Sequence, residues 1–335
     1  MFELCYEPKK WRTILSRFEG SDVFHSWDYH AIHKVRGEGV PVLIFSEDGP
    51  LTPIAIPLLE RNAPDSGGKE LVSASYFAGP LFHPSYHFGR CWQQLVKDLK
   101  NREYVSLTSA FHPILIPQNE VNGTPVSEKF VLNAIHLKPS TEASKTKKRK
   151  ESFCSKHIQD IHIEITQSHA ALDDLQYLWA KADRSSARYC NELELWEGLL
   201  TAHDFGTYIC IVKKAQRPIA GGLFVGKGDF LHYVLGGFHP NFQALSPLSL
   251  MLKEIHNWAK LREFEWLILG DDDEAILEDI PDVKQAKHTF PLHMKTEILN
   301  HAAYDEISTH HDGAIGVMTS KSMQQCLFPS YRGGC

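Results

Sequence analysis

The sequence predicts an α/β protein built from two units. Three observations predict it. Residues 208–270 read strand, strand, strand, helix, strand; residues 39–138 repeat a similar rhythm of β-hairpin, helix and strands; and the composition turns polar and strongly basic after Pro139. At 335 residues the chain has the length of two domains of roughly 100–200 residues each.

The elements follow from local signals. Residues 39–62 form two strands around a Glu47-Asp48-Gly49-Pro50 turn, and residues 70–84 a strand that runs into the Gly79-Pro80 break. Residues 84–103 form a helix with Trp92, Leu95, Val96 and Leu99 on one face. Residues 104–110, 112–117 and 130–138 read as short strands. The first unit is set at residues 1–138, the second at 139–300, and residues 301–335 as a helical tail that can pack back on the first. A cleft is expected between the two units.

In the second unit, Ser140 or Thr141 can cap a basic helix. Residues 171–203 are two helices parted by Arg184-Ser185-Ser186. Residues 208–216 are an apolar strand, and Gly226-Lys227-Gly228-Asp229 joins the next two strands in a tight hairpin, where glycine supplies positive φ. Ser246-Pro247 opens a helix with an N-cap hydroxyl and a proline at the first helical position. Leu248, Met251, Leu252, Ile255, Trp258 and Ala259 then recur at helical spacing. Residues 265–274 are a buried strand that ends in four acids.

Composition narrows the class. A hydrophobic fraction of 43% suits a chain that buries a core, and a net charge of −6 does not suggest a nucleic-acid scaffold. The seven cysteines are far apart without a CxxC pair, which reads as reduced thiols. Residues 1–13 lack the apolar stretch of a signal peptide, and no run approaches a membrane span. A cytoplasmic protein is expected, without membrane insertion. The 19 histidines are scattered. Asp271, Asp272, Asp273 and Glu274 alternate faces if they continue the strand, and the adjacent histidines of His310-His311-Asp312 would need a third, remote ligand to share one metal, so no metal site is expected. No cofactor is expected either.

The order of these segments resembles the FemABX peptidyltransferases and the FemAB-like acetyltransferase domain, which are tandem GNAT proteins. The resemblance is best over residues 147–304. It runs from a basic helix through a helix pair and the hairpin turn Pro218-Ile219-Ala220-Gly221. It continues through the helix start Leu245-Ser246-Pro247, the strand at residues 266–270, and the segment Ala286-Lys287-His288-Thr289-Phe290, which is similar to the family's FKxxF. Residues 24–30 (FHSWDYH) and 76–82 (YFAGPLF) resemble the family's opening segments. The resemblance implies tandem GNAT-like domains with mixed central sheets, in which two neighbouring strands splay and the acyl donor's reactive end enters the gap. It implies an N-acyltransferase that moves an aminoacyl or acyl group from an activated donor to an amine. Where cell-wall members carry an aspartate, this chain has His83. Cell-wall precursor, natural-product intermediate and polysaccharide amine all stay open as acceptor.

Candidate residues follow. Lys287 can neutralise a growing oxyanion or hold a phosphate, and His83 can act as general base. Trp27, Tyr76, Gly79, Arg188, Tyr189, Tyr233, Leu235 and Gly236 are the expected substrate contacts, with backbone N–H groups near residues 235–238 as oxyanion donors. Lys147, Lys148 and Arg149 are the expected phosphate contacts of a tRNA. Residues 241–247, where acyl-CoA enzymes cradle a pyrophosphate on glycines, contain no glycine, and Pro247 removes an N–H. That favours aminoacyl-tRNA as donor. Acyl-CoA or a carrier-bound acyl group is the alternative, and a non-catalytic GNAT-like binding module is the alternative of another class.

Overall fold

A computed structural model describes residues 2–48, 51–63, 68–74, 78–116, 124–125, 131–137, 160–181, 193–270 and 287–304. The chain divides into two compact units. One comprises the residues up to Val131 together with those from Phe290 on, and the other is Leu132–Thr289.

In the first unit the elements are β1 (Phe2–Cys5), α1 (Pro8–Leu15), α2 (Trp27–Val35), β2 (Val40–Asp48), β3 (Leu51–Asn62), β4 (Lys69–Val72), β5 (Leu81–Phe82), α3 (Phe88–Leu99), β6 (Tyr104–Phe111) and β7 (Thr124–Pro125). Next come β8 (Val131–His136), β9 (Ile161–Thr166), α4 (Ala170–Lys181), α5 (Leu193–Thr201), β10 (Gly206–Lys214), β11 (Arg217–Lys227), β12 (Phe230–Phe238), α6 (Pro247–Leu261), β13 (Trp266–Gly270), β14 (Lys287–Pro291) and β15 (His293–Ile298).

The two sheets share one topology. The first runs β1-β2-β3-β4-β6-β15-β7, with β5 paired to β3, and the second runs β9-β10-β11-β12-β13-β8-β14. In each, the first four strands pair antiparallel and the fourth and fifth pair parallel (β4 with β6, β12 with β13). The sixth strand is antiparallel again, and it comes from outside the local run: β15 beside β6, and β8 beside β13. Each sheet therefore has a parallel step between its fourth and fifth strands, which is the mark of a tandem fold.

Packing follows the periodicities. One face of α6 (Met251, Leu252, Ile255, Ala259) is buried with Cys210, Val212, Phe224, Leu231 and Leu267 of the sheet. Each such large apolar side chain contributes roughly 1.5–3 kcal/mol on burial. Leu175 and Leu178 of α4 cover the opposite face, where they crowd Gly221. In the first unit Phe88, Trp92, Leu95 and Leu99 of α3 pack on the sheet, and Trp92 Nε1 donates to Glu297 of β15 at 2.7 Å. Trp11, Ile14 and Leu15 of α1 pack with Leu43, Phe45 and Ala55 of β2 and β3.

The structure corrects two local expectations. Residues 112–116 form a turn and not a strand. The His112 Nδ1 accepts from the N–H groups of Ile114 and Leu115 at 3.2 and 3.1 Å, which holds the chain folded back. Ser246 stands at the N-cap position, but in a left-handed conformation (φ 45°) without a side-chain cap bond. The 3₁₀ turn Pro240–Leu245 before it fixes that geometry. The helices α1 and α2 were signalled by Pro8 at a helix start and by Ser26, whose hydroxyl accepts from Tyr29 N.

Candidate functional site

The site begins where β12 leaves β13. The parallel pairing joins Phe230 to Trp266, Leu231 to Leu267 and His232 to Ile268, and then stops, although β12 continues to Phe238. The departure has a local cause. Leu235 lies opposite Leu223 and Tyr233 opposite Phe224, so Val234 is an extra residue in β12. Such a bulge bends the strand and increases its twist.

Glycine lets this bend pack. Gly221 faces Gly237 and Gly222 faces Gly236 across β11 and β12. The ring of Tyr233 takes the space: a Cβ on Gly236 would lie 2.1 Å from its phenolic oxygen and 2.8 Å from Gly221 O. A Cβ on Gly222 would meet Met251 of α6 and the same tyrosine ring at 3.0 Å. Tyr233, Val234 and Leu235 are buried, and Gly236 to Phe238 are partly open. Beyond His232 no described strand pairs with β12 on its β13 side. Backbone N–H and C=O groups of a strand in that state are available to an extended ligand or a developing oxyanion.

The chain after β12 does not form a glycine cradle. The 3₁₀ turn Pro240–Leu245 leads into Ser246 and then Pro247 at the start of α6. Proline has no N–H, so this helix start has one backbone donor fewer to offer an anion.

The first unit has the equivalent parallel step, and there the step is closed. After Val72 of β4, Ser73 N donates to Thr108 O at 3.0 Å, and Ala110 N donates to Ser73 Oγ at 3.0 Å. The same hydroxyl reaches Ala78 O at 3.4 Å. Gly79 lies directly on β6, since a Cβ there would be 2.5 Å from Ala110 O and 2.8 Å from Phe111 Cα. The chain itself thus fills the place that no described strand fills beside β12.

The structure brings Tyr233, Leu235 and Gly236 together on one strand. Trp27, Gly79 and His83 belong to the first unit. Trp27 opens α2 and meets Trp11 edge-on at 5.3 Å. His83 lies in the loop after β5; its N–H donates to Pro53 O at 3.0 Å and its Nδ1 accepts from Ser85 N at 3.2 Å. In the neutral ring the proton then sits on Nε2, which donates and does not accept. Lys287 begins β14, with β8 and β13 between it and β12 in the strand order. Its neighbour His288 stacks edge-on at 5.4 Å from Trp266, and Thr289 Oγ1 donates to Asn133 Oδ1 at 3.2 Å. Tyr76, Lys147, Lys148, Arg149, Arg188, Tyr189 and the acids at 271–274 lie outside the described residues. Among the described residues no group of three or more metal-ligating side chains converges, and no helix is long and apolar enough to cross a membrane.

The sequence reading passed over the bulge at Val234 and the Ser73 clasp. Neither has a composition signal, but the Gly221-Gly222 and Gly236-Gly237 pairs did mark a place of close backbone approach.

Comparison with known proteins agrees with this geometry. Residues 144–276 match the family model of the acetyltransferase (GNAT) domain. No curated protein sequence matches the chain. Among solved structures, FemX is similar over 91% of this chain and 99% of its own, at 11% identity and a TM-score of 0.63. The C-terminal domain of a putative lysylphosphatidylglycerol synthetase from Agrobacterium fabrum is similar over 92% and 95%, at 13% identity and a TM-score of 0.50. Residues 144–276 thus match the acetyltransferase (GNAT) domain model, and the chain that carries them has a FemX-like fold with two GNAT-like sheets.

Proposed function

We propose that this protein is an N-acyltransferase that moves an aminoacyl group from aminoacyl-tRNA to an amine acceptor and forms an amide bond. The observation that carries the reading is the asymmetry of the two parallel steps. Beside β12 no described strand pairs on the β13 side after His232, whereas beside β4 the chain is clasped by Ser73. That asymmetry supports a donor gap in the second unit.

In this reading the donor's ester carbonyl lies against β12 beyond the bulge, where backbone N–H groups of residues 235–238 receive the developing oxyanion. The neutral amine attacks the carbonyl carbon. The tetrahedral intermediate collapses with loss of the ribose oxygen, which takes up the proton that the amine gives away. Tyr233 holds the open part of the strand in place through its contacts with Gly222 and Gly236. Lys147, Lys148 and Arg149 bind tRNA phosphates, and Arg188 and Tyr189 grip the acceptor. Lys287 fixes a charged part of the substrate. Three strand spacings separate β14 from β12, about 14 Å, which is more than a lysine's four-carbon stem reaches. A direct oxyanion contact is the weaker assignment for it.

The start of α6 supports the tRNA donor over acyl-CoA, since a 3₁₀ turn and Pro247 replace the glycines that hold a pyrophosphate. The acyl-CoA reading is favoured by the description of the matching family as an acetyltransferase domain. One experiment separates them: mass-spectrometric detection of label transfer from charged tRNA and, in parallel, from acetyl-CoA to a panel of amines. Label from the tRNA alone is the expected result. Label from acetyl-CoA alone would replace the donor, and label from neither would remove the enzymatic reading.

A further inference from the structure

At the end of β12, four side chains from three elements meet around a contact that has one hydrogen too many. Arg217, the first residue of β11, donates to Tyr177 Oη of α4 through Nε at 3.2 Å and through an amino group at 2.9 Å. Its guanidinium also lies 2.9 Å from His239 Nε2. On the other side of that ring, Asn241 N donates to His239 Nδ1 at 3.3 Å. Arginine and a backbone N–H can only donate, and a neutral imidazole has only one acceptor nitrogen. One of the two contacts therefore sets N–H against N–H.

The charge at this spot is also one-sided. Lys181, one turn after Tyr177 on α4, lies 5.8 Å from the Tyr177 ring, and Phe242 lies 5.7 Å from the Arg217 guanidinium. Burial, Arg217 and Lys181 together push the His239 imidazole below its ordinary pKa, so the ring is neutral at pH 7. Among the described residues no carboxylate pairs with Arg217 or Lys181. Asp174, one turn before Tyr177, is taken by Lys213 at 2.7 Å. The Tyr177 hydroxyl accepts from Arg217, and its own proton has no acceptor among the described residues.

We infer that Tyr177, Lys181, Arg217 and His239 form a binding site for a phosphate group. A phosphate between Arg217 and His239 removes the conflict. The His239 Nδ1 keeps the Asn241 N–H, its Nε2 carries the proton and donates to the anion, and Arg217 donates beside it. The Tyr177 hydroxyl and the Lys181 ammonium supply two more donors. A carboxylate would satisfy the guanidinium fork but leave half of the cationic charge unbalanced, whereas a phosphate dianion matches the two cations. Arg217 and His239 stand at the end of β12 where the strand has already left β13, on the α4 side of the sheet. That this phosphate belongs to a substrate rests on the acyl-transfer reading; that it binds does not.

The test is calorimetric titration of the full chain with inorganic phosphate and, separately, with acetate. Wild type should bind phosphate saturably and more tightly than acetate. Arg217→Gln, at an exposed position, should weaken phosphate by about tenfold or more while its melting temperature stays put. Lys213→Gln, which alters a cation already paired with Asp174, should leave phosphate binding unchanged. Absence of saturable binding would overturn the site. So would equal binding in Arg217→Gln, equal weakening in Lys213→Gln, or acetate binding as tight as phosphate. No arm reads turnover, so a failed label-transfer assay and a failed phosphate titration are separate results.

Discussion

His232 and Ile268 are the last paired residues of β12 and β13, and everything the second unit can offer a ligand along β12 starts one residue later. Val234 turns the strand away and Tyr233 braces the turn against two glycines. The brace makes Gly236 the most sensitive position near the proposed site. In Gly236→Ala the new methyl meets the tyrosine oxygen and a backbone carbonyl, and the latter cannot rotate away. A loss of about 1–3 kcal/mol is expected by chemical denaturation. The double variant Gly236→Ala with Tyr233→Phe should recover part of it, and recovery of none would show that the carbonyl alone sets the limit.

Ser73 gives a second prediction. Ser73→Ala leaves Ala110 N without its acceptor beside a buried strand, and about 1–2 kcal/mol should be lost. Gly79→Ala should cost more, because the contact it creates is with backbone. If the first unit is catalytically silent, Ser73→Ala should leave transfer activity per folded molecule unchanged.

The buried His30 predicts a pH dependence of stability. Its ring is fully enclosed, with Nδ1 2.9 Å from Ser26 O and the Trp11 ring at 5.1 Å. Burial, aided by nearby His33, lowers its pKa to about 3, against an unfolded value near 6.5. The unfolded chain therefore binds a proton that the folded chain refuses between those limits. The contribution is whole above pH 6.5 and is lost as pH falls, at up to about 1.4 kcal/mol per pH unit. Urea melts at pH 7 and 5 should differ by about 2 kcal/mol from this group, and the same pair of melts on His30→Gln should show a smaller difference.

The turn between β10 and β11 is a stabilisation target. Ala215 and Gln216 are its two central residues, at φ of 46° and 69°, a conformation that side chains with a Cβ resist. Replacing them with Asn-Gly suits the turn and should raise stability by about 1 kcal/mol. An unchanged melting temperature would mean that the flanking strands already absorb the strain.

Lys287→Met keeps the stem and removes the charge. If the lysine fixes a substrate charge, KM should rise by about tenfold or more with kcat little altered. A fall in kcat alone would instead favour the oxyanion role.

Local signals made much of the second unit legible. The Gly228-Asp229 hairpin, the Ser246-Pro247 helix start and the apolar face of α6 each depend on residues a few positions apart, and so each was readable. The bulge at Val234 was not, because a bulge is a register relation between two strands. Nor was the place of β15: its sequence reads as a strand anywhere, and only the whole topology seats it between β6 and β7. His112 reads as part of a strand, but its ring accepts from two N–H groups that follow it and makes a turn. The Arg217–His239 contact joins residues 22 apart that no spacing rule connects.

The place of β15 has a consequence during synthesis. The second unit is one unbroken stretch, complete once residue 289 has been made, but the first sheet lacks its sixth strand until residues 293–298 leave the ribosome. At roughly 5–20 residues per second, the N-terminal part of the nascent chain waits on the order of 10 s with the side of β6 that later takes β15 unpaired. An open strand edge of that kind is a template for wrong pairing. The half of the molecule made first is thus the half that finishes last, and its yield depends on whatever shields that edge in the interval.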